Sequence, residues 1–189
     1  METKNSMFIS ALKSGLIIGV VSIVVFLISY VADFKPVGIL MPILYGISSF
    51  AILVIILVYL FKNYRTQIGG YISFRNAFLY CFIAFAAGSI LSSLFSALFI
   101  QFIEPEYYKN IMEAQKVYME NYLSGKMSDE QITEQLDKID EQAATMGSFS
   151  GMLKTLAGSI LIGGIVGLII GAIMKKNPEM FDTTAGGAI

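Results

Sequence analysis

The sequence predicts an all-α protein, a four-transmembrane-helix bundle with a periplasmic amphipathic helical hairpin between the third and fourth spans. Three observations predict it. The 189 residues are 56% hydrophobic and only 14% charged, where soluble domains carry roughly 25% charged residues, and the mean hydropathy is +0.70. The apolar residues gather into four stretches that contain no Asp, Glu, Lys or Arg. The one long polar segment, Glu104 to Gly151, carries ten acids and four lysines, a net charge of −6, and repeats its apolar residues with a helical period.

The charge-free stretches run from Ser14 to Ala32, Pro36 to Phe61, Asn76 to Ile103 and Thr155 to Met174, with 19, 26, 28 and 20 residues. About 20 helical residues cross the ~30 Å hydrocarbon core, so the spans fall at about 14–32, 37–61, 76–103 and 153–174 of a single membrane domain, 1–189. Continuous apolar runs, and not short alternating ones, select helices over a β-barrel. The first run follows Lys4 and Lys13, as a signal peptide would. A cut after Ala32, however, would put bulky Tyr30 where a small residue is needed, so a retained anchor is expected. Only Asp33, Phe34 and Lys35 separate the first two runs before Pro36, which demands a tight antiparallel turn. Pro42 lies early enough in the second helix to kink it.

Orientation follows from the flanking bases. Lys4 and Lys13, then Lys62, Arg65 and Arg75, then Lys175 and Lys176 all fall on one side of the predicted topology. The positive-inside rule makes that side cytoplasmic, with both termini inside and the 104–151 loop on the opposite, periplasmic side. The loop reads as a hairpin at about 105–146. Its first helix has the stripe Tyr107, Ile111, Ala114, Tyr118 and Tyr122, ended by Ser124 and Gly125. Ser128 and Gln131 form a capping box for the second, whose Ile132, Leu136, Ile139 and Ala143 share a face. Gly147 and Gly151 loosen the chain before the last span, and Thr183 to Ile189 is expected to be a disordered tail.

Two small-residue stripes are the clearest candidate sites. Ala84, Gly88, Ser92 and Ser96 recur every four residues in the third span, as do Ser159, Gly163, Gly167 and Gly171 in the fourth, and Gly15 and Gly19 add a shorter stripe to the first. Small residues let helix backbones approach closely where lipid removes the hydrophobic drive. They serve either packing within one bundle or an oligomer interface with a second copy or another membrane protein. The serines also leave open a polar passage.

The remaining chemistry is sparse. There is no histidine, the single Cys81 lies within a span, and the four charge-free stretches hold no Asp, Glu, Lys or Arg, so metal, cofactor, disulfide and proton-relay chemistry lack their usual groups. The charges favour no nucleic acid. Asp129, Glu130, Glu134, Asp137, Asp140 and Glu141 lack EF-hand spacing and read as a solvated helix face, with Glu134–Lys138 and Lys116–Glu120 as i,i+4 pairs. Gly69 and Gly70 sit in no phosphate-binding fingerprint and read as a turn.

Gly70-Tyr71-Ile72-Ser73-Phe74 entering the third span, Phe102-Ile103-Glu104-Pro105-Glu106 leaving it, Met127-Ser128-Asp129-Glu130-Gln131, and Lys175-Lys176 after a glycine-rich last span resemble a bacterial, Bacteroidota-type family catalogued as domain of unknown function 4199. The resemblance covers nearly the whole chain. It implies a four-helix inner-membrane protein and supplies no catalytic residue to carry over. The residues and the resemblance together lead to the expectation of a non-enzymatic structural or interaction partner in the cell envelope, associating with the lipid bilayer and with membrane-protein partners. The alternative is a transporter or flippase subunit for a neutral or lipid-linked substrate.

Overall fold

The computed structural model describes residues 2–146 and 148–175. Gly147, Lys176 and the Thr183 to Ile189 tail, named above, lie outside the described residues. The chain forms α1 (Glu2–Val31), α2 (Leu40–Gln67), α3 (Phe74–Leu98, closed by a π-helical turn Phe99–Ile103), α4 (Tyr107–Leu123), α5 (Asp129–Met146) and α6 (Phe149–Met174). It is an all-helical protein, and Ser6–Val31, Leu40–Gln67, Phe74–Ile103 and Phe149–Met174 are long and apolar enough to cross a membrane.

The long helices overrun the charge-free stretches. Lys13 lies inside α1, and Lys62 and Arg65 inside α2, because Lys and Arg are good helix formers and a charge ends a span without ending its helix. Backbone breakers set the ends. α1 stops at a turn where Asp33 takes φ 48° and Gly38 φ 88°. α2 closes through Gly70 N–H donating to Arg65 O (2.9 Å) and Gly69 N–H to Thr66 O (3.2 Å), a Schellman-type end that needs the positive φ of these two glycines. α5 begins with the reciprocal capping box, Ser128 N–H to Gln131 Oε1 (3.2 Å) and Gln131 N–H to Ser128 Oγ (3.4 Å). Ser148 caps α6 by accepting from Gly151 N–H at 3.1 Å.

α3 is the central helix, with α1 and α6 packed along it. α1 runs parallel to α3, Gly15 lying against Ala84 and Gly19 against Gly88 and Leu91. α6 runs antiparallel, Gly163 against Phe85 and Gly171 against Phe78. The dense core lies at the end of the bundle shared by the start of α1, the end of α2, the start of α3 and the end of α6. Met7, Ala11, Phe61, Tyr64, Ala77, Tyr80, Cys81 and Met174 are buried together there. Two polar contacts tie that end: the buried Ser14 and Tyr80 hydroxyls meet at 2.7 Å, and Arg65 donates to Met174 O at 2.9 Å, satisfying a carbonyl at the end of α6.

The opposite end carries the α4–α5 hairpin. Lys116 of α4 pairs with Asp140 of α5, not with Glu120 as the i,i+4 reading expected, since the neighbouring helix brings a carboxylate to the same ammonium. The Glu134–Lys138 pair forms at 2.8 Å. Gln115 accepts from Gly38 N–H at 2.6 Å, and the Tyr118 ring lies so close to Gly38 that a Cβ there would stand 2.8 Å from it. The hairpin is therefore tied to the α1–α2 turn. This contact also explains a departure from the expected stripe: Tyr118 and Tyr122 stay 39% and 43% exposed, leaning outward while Met112, Met119 and Leu123 are half-buried.

Candidate functional site

The stripe residues do not all do the same thing. Gly163, Gly167 and Gly171 receive phenylalanines of α3: a Cβ on Gly163 would stand 2.5 Å from Phe85, and Gly167 and Gly171 lie against Phe78. Ala84 and Gly88 turn instead toward α1, where a Cβ on Gly15 would meet Ala84 O at 2.6 Å and one on Gly88 would meet Gly15 O at 3.0 Å. The two stripes thus face different helices and not each other. Their serine ends, Ser92, Ser96 and Ser159, together with Gly88, reach a cavity.

That cavity, of about 550 Å³, lies in the half of the bundle nearer the hairpin. Its walls come from the second half of α1, the first half of α2, the second half of α3 and the first half of α6, with Tyr108 of α4 at the hairpin end. Ile18, Leu53, Phe85 and Ile162 mark its limit along the helices toward the core end. Beyond them the packed core, including Phe61, Tyr80 and Cys81, closes the bundle. The cavity is one-sided.

Splaying of α2 and α6 creates it. α2 buries only Leu57, Phe61 and Tyr64, all in its second half. From Met152 to Ile162 α6 buries no residue, whereas Gly163, Val166, Gly167, Ile170, Gly171 and Met174 are buried. Small residues at the far end of α6 let it close on α3, whereas near its start Met152, Thr155, Ser159 and Ile162 face the cavity and Gly158 meets nothing within 4 Å. The result is a cleft whose mouth includes half-exposed Ile162 and Phe50.

The lining is unusual for a membrane-spanning segment. Eight of its residues are serine or threonine: Ser22, Ser49, Ser89, Ser92, Ser93, Ser96, Thr155 and Ser159. Ser92 and Ser159 donate to Ser89 O and Leu156 O of their own helices. Among the described residues the other six side chains have no hydrogen-bond partner, and no fully buried polar atom is left unpaired. Those hydroxyls are consequently reachable from the cleft. Elsewhere the protein treats such groups in the usual way, Ser29 donating to Val25 O and Ser48 to Leu44 O.

A second, polar recess of about 370 Å³ adjoins the cleft at the hairpin end, lined by Ser29, Tyr30, Asp33, Lys35, Glu104, Tyr107 and Asn110 among others. An aromatic cluster forms the partition: Phe26, Tyr30, Phe99 and Tyr107 meet edge-on at centroid separations of 4.9 to 5.9 Å. Ser29, on the recess side, bonds Tyr45 of the cleft side at 2.9 Å. Burial pushes the Tyr107 phenol up to about 12, and burial also raises Tyr108, so both are neutral hydroxyls near pH 7.

Sequence reasoning found the serines but not the cleft, nor Tyr30 and Glu104 as a bonded pair. Tyr30 lies in α1 and Glu104 follows α3, 74 residues away, and nothing in either segment announces the contact. Three or more His, Cys, Asp or Glu side chains do not converge in a metal-binding group among the described residues.

A family model described as a protein of unknown function, DUF4199, matches residues 13–176, from Lys13 in the first span through the end of the fourth. The chain belongs to the DUF4199 family. No curated protein and no solved structure matches it. The matched region contains every residue of the cleft and of the recess, so both features of this DUF4199 protein lie within the family domain. The family's description carries no activity, and the cleft geometry is the basis for a functional reading.

Proposed function

We propose that this protein is a non-enzymatic, multi-pass protein of a bacterial inner membrane that holds the apolar part of a neutral or lipid-linked amphiphile in the serine-lined cleft. The observation that carries the reading is the set of six unpaired hydroxyls on an accessible cavity within the membrane spans. An unpaired hydroxyl in a lipid-facing helix costs free energy that a carbonyl one turn back would remove. Leaving six open is reasonable where a partly polar guest, or water that it displaces, bonds them. The volume lies within the ~300–1,000 Å³ of small-molecule pockets, which commonly form between bundle helices.

The orientation supports the same reading. Lys13, Lys62, Arg65, Arg75 and Lys175 lie in the half of the bundle that holds the core, which the positive-inside rule assigns to the cytoplasmic side. The cleft then opens in the outer half of the bilayer, and the hairpin stands on the periplasmic side. A single-ended cleft suits a subunit that accepts or presents a lipid in that leaflet; carriage across the membrane would require the core end to open as well.

The test is to purify the protein in mild detergent and identify amphiphiles that remain bound by native mass spectrometry. Ser92→Phe and Ser159→Phe, which fill the cleft, are expected to lose the bound species while retaining the fold by circular dichroism. A wild-type protein that carries no amphiphile after delipidation and reloading sinks the reading.

A second reading, an interaction partner of another envelope protein, is favoured by the exposed and unpaired acids Glu113, Glu120, Glu130, Asp137 and Glu141 on the hairpin among the described residues. Crosslinking in native membranes, with and without these five changed to glutamine, separates it from the first.

A further inference from the structure

Glu104 directly follows the third span, and its surroundings are unbalanced. Glu104 is half-buried, and its carboxylate accepts from the Tyr30 hydroxyl at 3.1 Å. Among the described residues no cation pairs with it. Lys35, in the same recess, is paired with Asp33 at 2.9 Å, so Asp33, Lys35 and Glu104 leave the recess with one uncompensated negative charge. The Asn110 side chain also lines the recess and has no partner among the described residues. A carboxylate without a counter-ion in a recess beside the membrane spans is electrostatically complementary to a bound cation.

The recess does not stand alone. It abuts the hairpin end of the serine-lined cleft, and residues of the two cavities touch through the Ser29–Tyr45 hydrogen bond and through the adjacent Tyr107 and Tyr108. A guest with its apolar part in the cleft would bring its polar end to this recess. The complementary polar end bears an ammonium for Glu104 and an anionic group within reach of Lys35, with Asn110 free to bond ester or phosphate oxygens.

We infer that the recess of Tyr30, Asp33, Lys35, Glu104 and Asn110 is a head-group subsite for an amine-bearing phospholipid of the phosphoethanolamine type, its ammonium paired with Glu104. The inference rests on the cleft reading and adds the chemistry of the head group to it. The lipid-borne form is the occupant, because only a lipid uses both cavities at once.

Delipidated full-length protein in detergent is reloaded with phosphatidylethanolamine, phosphatidylglycerol or diacylglycerol of matched chains, and retention is measured by native mass spectrometry. Wild type is expected to prefer phosphatidylethanolamine over phosphatidylglycerol by about tenfold, the scale of one charge-assisted hydrogen bond. Glu104→Gln removes the preference without changing diacylglycerol retention, and Glu104→Lys reverses it toward phosphatidylglycerol; the reversal is a gain that a misfolded variant does not produce. Equal retention of the two phospholipids by wild type, or a preference unchanged in both variants, overturns the head-group inference while leaving the cleft reading intact. So does equal retention of free O-phosphoethanolamine, which makes the lipid chains irrelevant to the recess. Retention of none of the lipids by wild type overturns the cleft reading and the subsite with it.

Discussion

Replacing Gly15 by alanine tests how the bundle is held together. A Cβ at Gly15 would lie 2.6 Å from the backbone oxygen of Ala84 and 2.6 Å from the Cβ of Ala87. Ordinary contacts need ~0.6 to 1 Å more, and neither neighbour is the far end of a flexible side chain, so α1 must move off α3. A gap of 0.5–1 Å forfeits roughly a quarter to a half of each atom pair's ~0.1–0.2 kcal/mol. Over a few tens of pairs along this seam the loss is about 1–2 kcal/mol. The Ser14–Tyr80 hydrogen bond, one turn or less away, contributes about 1 kcal/mol more if it breaks. The expected destabilisation is about 2–3 kcal/mol, and lipid supplies no hydrophobic term to mask it. Gly46→Ala is the control, since its Cβ would meet nothing within 4 Å and alanine favours a helix interior by up to about 1 kcal/mol. Unfolding is followed by circular dichroism during titration of mixed micelles with sodium dodecyl sulfate. Equal midpoints for Gly15→Ala and Gly46→Ala would refute the claim that close backbone approach holds α1 on α3.

Three further outcomes are expected. Gly38→Ala requires a positive-φ conformation (φ 88°) and displaces the Tyr118 ring, so it is expected to cost about 1–2 kcal/mol and to speed amide exchange around Gln115 and Tyr118 of α4; unchanged exchange counts against the tie between hairpin and turn. Arg65→Ala removes the donor to Met174 O and is expected to increase exchange in the last turn of α6 while sparing its first turn, a pattern read by mass spectrometry. Lys138 holds the Glu134 carboxylate below its ordinary value, by a hydrogen bond and by its charge. A lowered folded value means that the pair's contribution is complete above the ordinary carboxylate range and is lost as acid brings the pH down through the lowered value. Lys138→Ala is expected to return the Glu134 titration, followed by carbon NMR, toward 4.5, and an unmoved titration refutes the assignment.

Much of the fold can be read from residues that have one local job. The acids and bases between spans delimit four apolar helices, Gly69 and Gly70 end α2, and Ser128 with Gln131 starts α5. The same local logic fails where a group has a choice of partners. Lys116 had Glu120 one turn ahead and took Asp140 from the adjacent helix. Tyr118 fits the apolar stripe of α4 by spacing, yet it covers Gly38. The π-helical turn Phe99–Ile103 has no signal in an apolar run, because its residues suit an α-helix equally well.

The candidate site was legible only in its materials. Ser92, Ser96 and Ser159 stand out in a list of small residues, but hydroxyls that glue helices together and hydroxyls that line a cavity have the same spacing. The sequence by itself determined which segments enter the membrane, where they turn and which loop carries the negative charge, because those outcomes follow from the transfer cost of charges and from backbone geometry. Only the tertiary structure decided that Gly15 and Gly163 face different helices, that α2 and α6 part near the hairpin, and that Glu104 meets Tyr30 without a cation. The physical reason is that lipid is as apolar as the side chains it surrounds: hydropathy separates membrane from water, and only the shapes of packed side chains separate one face of a buried helix from another.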